Sequence, residues 1–239
     1  MSQPLDGATA VVTGASRGIG EAIARSLAAA GARVALVSRS REPLEKLATE
    51  IGGGALAVPC DVSDASAVGA AVASINTAFG GPPRILVNNA GLFHTAPIAD
   101  LDAEAFDTML SVNLAAPFRF VRALLPAMRA AGGGHIVTIG SIADRTAFPG
   151  NSGYSASKFG ARAVHEVLRA ESKGSGVRAT LVSPSAVDTP IWKGLTAEAR
   201  ANFPKAADML RAEDVARGVL YAVTQPETVN VDELRITRA

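Results

Sequence analysis

Apolar residues fall in short runs separated by longer stretches with a helical period. Residues 8–12 are a β-branched run, followed by a glycine-rich turn and the alanine-rich stretch 21–30 that Gly31 ends, which predicts strand, turn and helix. Residues 33–37 make a second run, 43–50 a helical stretch stopped by Gly52-Gly53-Gly54, 55–58 a third strand, and 63–79 a helix opened by Ser63 or Asp64. Strand-like runs follow at 84–87, 135–139 and 177–182, with helical tracts at 103–130 and 152–172 between them. A helix at 212–223 and a strand at 229–236 finish the pattern. Strands this apolar, alternating with helices, need cover on both faces. The pattern therefore predicts an α/β fold, a doubly wound parallel sheet flanked by helices, with one domain spanning 1–239. The least regular segment, 184–209, contains Pro190, Gly194 and Pro204 and is expected to be a mobile flap.

Charge and composition narrow the function classes. Lys and Arg number 23 against 22 Asp and Glu, so no basic field offers itself to nucleic acid or anionic lipid. Hydrophobic residues at 48% and charged residues at 19% fit a folded, soluble chain. The single cysteine, Cys60, excludes an intrachain disulfide and a cysteine-based zinc site, and it fits a cytoplasmic setting. No basic-then-apolar leader and no apolar run of ~18 residues is present, so no membrane association is expected. His94, His135 and His165 lie in unrelated contexts, which argues against a metal site.

The turn after the first strand reads Thr13-Gly14-Ala15-Ser16-Arg17-Gly18-Ile19-Gly20 and runs straight into a helix. Glycines at 14, 18 and 20 permit close backbone approach, and the free N–H groups of a helix N-terminus suit a pyrophosphate. The second strand ends in Ser38-Arg39-Ser40, where an acid would accept from a ribose 2′-hydroxyl. With no carboxylate there, Arg17 and Arg39 can converge on a 2′-phosphate, which points to NADP(H). The alternative is that both arginines are ordinary solvated surface residues.

Tyr154 and Lys158 stand at i and i+4 on one helix and share a face. Ser141 follows the fifth strand and Asn88-Asn89-Ala90-Gly91 the fourth, both at the edge where open α/β sheets hold ligands; Asn113 lies in the next helical tract. With these pieces in order, the sequence resembles the short-chain dehydrogenases/reductases of the compact, Rossmann-type kind. The resemblance implies an NADP(H)-dependent oxidoreductase that interconverts a carbonyl and a secondary alcohol. In that family Tyr154 would be the acid/base. Ser141 would bind the substrate oxygen, and Lys158 would lower the tyrosine pKa and hold the nicotinamide ribose. Asn113 would carry a proton-relay water. The turn residues Gly14, Ser16, Arg17, Gly18, Ile19 and Gly20 with Arg39 would hold the phosphates, and Asp61 and Val62 the adenine. Asn89, Ala90 and Gly91 would line the cofactor cleft, and Pro184, Val187 and Thr189 the nicotinamide end. A homodimer or homotetramer built through the helices at 103–130 and 152–172 is a further implication.

Pro184-Ser185 departs from the family's usual Pro-Gly; were φ positive there, serine would be strained by about 1–2 kcal/mol. His94 either borders the substrate pocket or is a surface residue, and Trp192, Phe148 and Phe93 either wall that pocket or belong to the core. The length and the ending 229–236 resemble members acting on small 3-hydroxy acids or general carbonyl compounds, with 3-oxoacyl carrier-protein reduction the nearest alternative. A non-catalytic nucleotide sensor would have lost Tyr154, Lys158 or Ser141, and all are present. A methyltransferase on a similar sheet would carry an acid where Arg39 stands.

Overall fold

Alternate residues of each strand enter two separate cores. Ala10 and Val12 of β1 (Thr9–Thr13) pack with Val34 and Leu36 of β2 (Arg33–Ser38) on one face, while Val11, Ala35 and Val37 pack on the other. The computed structural model describes residues 3–195, 200–201 and 203–239. These form one seven-stranded parallel sheet, completed by β3 (Leu56–Pro59), β4 (Ile85–Asn88), β5 (Gly134–Ile139), β6 (Val177–Pro184) and β7 (Glu233–Ile236) in the order β3-β2-β1-β4-β5-β6-β7. Val11 lies between Ala35 and Leu86, which sets the register at the centre of the sheet.

Helices α1 (Gly18–Ala29) and α2 (Arg41–Ile51) cover the first face, with α7 (Ala212–Val223) beside α1; Ile23, Leu27, Leu44 and Val219 are their fully buried contributions. On the other face α3 (Ala65–Phe79), α5 (Ala116–Ala130) and α6 (Ser152–Glu171) contribute Ile75, Phe120, Leu124 and Leu168. Each such side chain stabilises the fold by about 1.5–3 kcal/mol relative to its exposed state. Two buried polar pairs interrupt the apolar filling. His135 Nε2 lies 2.7 Å from Thr180 Oγ1 and His165 Nδ1 2.9 Å from Thr138 Oγ1. Burial holds the two imidazoles down at about 3 and about 4. Among the described residues no helix is long and apolar enough to cross a membrane.

Three boundaries differ from the sequence pattern for identifiable reasons. The tract 103–130 is not one helix: α4 (Ala103–Leu110) passes through a π turn, Ser111–Ala115, before α5, and the proline that opens α5 has no N–H to continue the earlier ladder. The last strand begins at Glu233, because the Asn230 side chain takes the place of backbone pairing: it accepts from Ala179 N at 3.0 Å and donates to Ala179 O at 3.1 Å. Asp64, not Ser63, caps α3, accepting from Ser66 N at 2.7 Å and Ala67 N at 3.2 Å.

Two glycines in helices make opposite predictions. A Cβ on Gly20 in α1 would stand 2.2 Å from Gly14 O, whereas one on Gly69 in α3 would meet nothing within 4 Å. Gly20→Ala should therefore destabilise by about 1–3 kcal/mol through backbone displacement. Gly69→Ala should stabilise by about 0.5–1 kcal/mol. Urea unfolding of the two variants beside the wild type reads both signs.

Candidate active site

Strand order reverses between β1 and β4, and a cleft of about 970 Å³ opens there beyond the carboxyl ends of the strands. The loop after β4 lies hard against the loop after β1. Thr13 Oγ1 accepts from Asn89 N and Ala90 N, both at 3.0 Å, and Asn89 Nδ2 donates to Thr13 O at 2.8 Å. Gly14, at φ +67, comes so close to this loop that a Cβ would stand 2.8 Å from Ala90 Cα. The glycines of the turn are thus required first by the protein's contacts with itself. Asn89 and Ala90 brace the turn as well as line the cleft, which also takes in Gly14, Ser16, Arg17, Gly18, Ile19 and Gly91.

What this rim offers is suited to a dinucleotide. The N-terminus of α1 has no side-chain cap, so its N–H groups remain for an anion. Ser38 Oγ is buried without a partner, and Arg17 and Arg39 extend into the same cleft with no hydrogen bond or ion pair among the described residues. Asp61 also lines it, its carboxyl held below the ordinary range by the Ser63 hydroxyl and N–H and by Arg39; Val62 adds a buried apolar side chain.

At the other end of the cleft the fold brings Ser141, Tyr154 and Lys158 together. Ser141 caps a short 3₁₀ turn, Ile142–Asp144, directly after β5; its Oγ accepts from Ala143 N at 3.1 Å and its hydroxyl neighbours the Tyr154 phenol. Tyr154 and Lys158 do share a face of α6. The ammonium nitrogen lies 5.8 Å from the centre of the tyrosine ring and donates to Ile139 O, at the end of β5, at 2.9 Å. This bond ties α6 to the strand that presents Ser141.

Burial governs the titration of both groups. Burial raises the Tyr154 pKa, the neighbouring Ser141 hydroxyl opposes that, and the Asp144 carboxylate adds to the rise. Burial also lowers Lys158 to about 8, with Asp144 partly offsetting it. The Asn113 side chain is engaged within the protein. Its Nδ2 donates to Leu92 O at 2.9 Å and Ser157 Oγ at 3.0 Å while its Oδ1 accepts from Leu92 N at 2.9 Å. Its side chain thereby ties the Leu92 loop to α6.

Asp144 was not singled out by its sequence context. It is buried beneath Ser141, accepting from Ser141 N at 3.2 Å and from the Ser183 hydroxyl, with Arg145 Nε at 3.0 Å and Arg162 Nη1 at 3.8 Å. Glu233 bridges the same two arginines. Gly140 makes room for it, since a Cβ there would stand 2.4 Å from Asp144 Oδ2. An acid three residues after a strand-end serine, as in a capping box, is the sequence signal that could have identified it.

The remaining assignments resolve as follows. Pro184, Val187 and Thr189 line the cleft, as do Phe93, Phe148 and Trp192; His94 is exposed outside it. Ser185 carries no strain, because among the described residues only glycines have positive φ, and its N–H donates to Ile236 O at 2.8 Å. The segment 184–209 is tied at both ends by a bridge between Val187 and Leu210 and contains 3₁₀ turns at Pro190–Gly194 and Ala206–Asp208. Residues 196–199 and 202 of the expected flap lie outside the described residues. Among the described residues there is no group of three or more His, Cys, Asp or Glu able to hold a metal.

Comparison with known proteins agrees with this architecture. A family model described as short chain dehydrogenase matches residues 8–200. A glycine betaine reductase (ATRR) of Emericella nidulans is 39% identical over 98% of this chain, although the chain spans only 19% of that protein. A metagenomic short-chain oxidoreductase solved in complex with NADP matches with a TM-score of 0.84 and 35% identity over 99% of this chain and 100% of its own. A 3-ketoacyl-(acyl-carrier-protein) reductase of Brucella melitensis, complexed with NADH, matches with a TM-score of 0.88 and 30% identity over 98% of each chain. The chain belongs to the short-chain dehydrogenase family, and it is an oxidoreductase of that family.

The depressed Lys158 value has a consequence for stability. The folded amine releases its proton near pH 8 and the unfolded one near 10.5, so between these the unfolded chain binds more protons and stability rises with pH. Relative to Lys158→Met, the wild type should gain about 1–2 kcal/mol between about pH 7.5 and pH 9.5, read from urea midpoints at the two pH values.

Proposed function

We propose that this protein interconverts a carbonyl compound and a secondary alcohol with NADP(H), using Tyr154 as acid/base. The observation that carries the reading is the Ser141–Tyr154 pair at the carboxyl edge of β5, with Lys158 one turn behind the tyrosine. NADPH, when bound, supplies the hydride. Ser141 holds the substrate oxygen beside the phenol, and Tyr154 Oη gives its proton to that oxygen as charge develops. Lys158 reaches the ribose side of the cleft from its place under Tyr154, and a bound cationic ring would oppose the burial that now raises the phenol. Asp144 acts through Ser141, fixing its backbone. Arg17, Arg39 and the unpartnered Ser38 hydroxyl support a 2′-phosphate. Likeness of fold alone does not choose the cofactor, since similar structures were solved with NADP and with NADH.

Gly14, Ser16, Gly18 and Ile19 face the pyrophosphate in this reading, with Gly20 serving it from behind by letting α1 pack against Gly14 O; Asp61 and Val62 face the adenine, and Asn89 to Gly91 with Pro184, Val187 and Thr189 the nicotinamide end. A general carbonyl compound or a small 3-oxo acid is the substrate class. The second reading, 3-oxoacyl carrier-protein reduction, is supported by the Brucella neighbour. Self-association through α5 and α6 belongs to the same proposal, supported by exposed Phe118, Phe159 and Val167 on those helices.

Two measurements test it. Tyr154→Phe deletes only the hydroxyl and should lower turnover at least about a hundredfold with NADPH affinity nearly unchanged; a variant that keeps a tenth of wild-type turnover excludes Tyr154 as the proton donor. NADPH should bind at least about tenfold tighter than NADH, roughly 1.4 kcal/mol, by calorimetry, and Arg39→Ala should remove most of the difference. Equal affinities in the wild type would reject the 2′-phosphate site.

A further inference from the structure

Beyond Tyr154 the cleft is walled by aromatic rings. Phe93 stands edge-on to Tyr154 with centroids 4.9 Å apart and planes at 86°, and lies 5.3 Å from Trp192 and 5.5 Å from Phe203. Trp192 and Phe203 are themselves 5.1 Å apart. The positions are held from behind. Phe93 follows Leu92, whose N–H and C=O are both bonded to Asn113, and Trp192 Nε1 donates to Val187 O at 2.7 Å. With its single donor engaged inside the protein, Trp192 offers the cleft only ring surface.

Charge is distributed the other way along the cleft. Arg17 and Arg39 follow β1 and β2, two and three strand positions from β5, or roughly 10 and 14 Å at the usual inter-strand spacing. Lys158 directs its amine to Ile139 O beneath Tyr154. Among the described residues, the charged side chains lining the cleft are Arg17, Arg39, Asp61, Lys158 and Asp208, and of these only Asp208 belongs to the chain segment that carries Phe203. Arg200 packs on Trp192 at 5.7 Å but lines a separate surface depression and donates to the carbonyls of Phe203 and Pro204. An anionic substrate would give up its water against these rings with no partner cation facing it from within the cleft among the described residues.

We infer that the substrate is an uncharged carbonyl compound with an aromatic group attached at the carbonyl, seated against Phe93, Trp192 and Phe203 with its oxygen at Ser141 and Tyr154. This rests on the carbonyl-reductase reading and chooses against the 3-oxo acid and the 3-oxoacyl thioester within it. Edge-to-face aromatic packing adds about 0.5–1.5 kcal/mol beyond area burial, which favours an aryl over an alkyl group of similar size.

The test compares acetophenone, acetoacetate and an acetoacetyl thioester in two ways. In NADPH oxidation, kcat/KM for acetophenone should exceed that for either of the others at least about tenfold, since only it avoids an unpaired charge or polar chain against the rings. Phe93→Ala should cut the acetophenone-to-acetoacetate ratio about fivefold or more, and Phe93→Leu, which keeps bulk without the ring, should cut it also. In calorimetry on protein saturated with NADP+, acetophenone should bind and acetoacetate should not. Binding of acetophenone without turnover of any compound would sink the reductase reading yet support the pocket assignment. Faster turnover of acetoacetate or the thioester, or a ratio unmoved by both Phe93 variants, would overturn the aromatic assignment while leaving the reductase reading intact. Failure of acetophenone to bind would overturn it as well.

Discussion

Everything at the cleft depends on how closely two loops lie together where the strand order reverses. Thr13 and Asn89 exchange bonds between the turn after β1 and the loop after β4, and Gly14 sits where any side chain would strike Ala90. The contact needs backbone against backbone, so it needs glycine. Because it holds, the N-terminus of α1 faces the opening uncapped and the Leu92–Phe93 segment is carried across the cleft mouth. One steric requirement thereby serves the phosphate end and the substrate end together.

Ser141, Tyr154 and Lys158 are positioned by a second set of bonds, less economical in polar groups buried. Lys158 ties α6 to the last carbonyl of β5, and Asp144 ties the Ser141 turn to β6 through Ser183 and to α6 and β7 through Arg162, Arg145 and Glu233. A buried carboxylate this close to Tyr154 acts against ionisation of the phenol. Its two arginines and two further donors make that arrangement tenable, since a buried charge is stable only when paired and hydrogen-bonded. What it provides is a rigid Ser141, and the raised tyrosine is a property of this state of the site.

The cleft is polarised along its length. Its glycine-turn end gathers guanidinium groups unpaired among the described residues and an uncapped helix N-terminus, and its far end gathers phenyl rings and an indole whose N–H is bonded inside the protein. An anionic ligand and an apolar one can therefore occupy one cavity without competing, each repelled from the other's place by desolvation.

Much of the architecture was legible because its causes are local. Apolar runs of five or six residues between amphipathic stretches define a two-faced parallel sheet, and the spacing of Tyr154 and Lys158 puts them on one helical face whatever surrounds the helix. The glycine turn, Ser141 and Arg39 were visible for the same reason, as residue types at strand ends. What the sequence could not determine arises from contacts between distant segments. Asn113 is committed to Leu92 and Ser157 only because a π turn rotates it there, Asp144 matters only because β6, β7 and α6 converge on it, and Asn230 ends a strand by pairing with β6 through its side chain. Whether Phe93, Trp192 and Phe203 belonged to a core or a pocket was likewise decided by packing. Ring identity is local, but which side of a ring faces open space is set by the assembled fold.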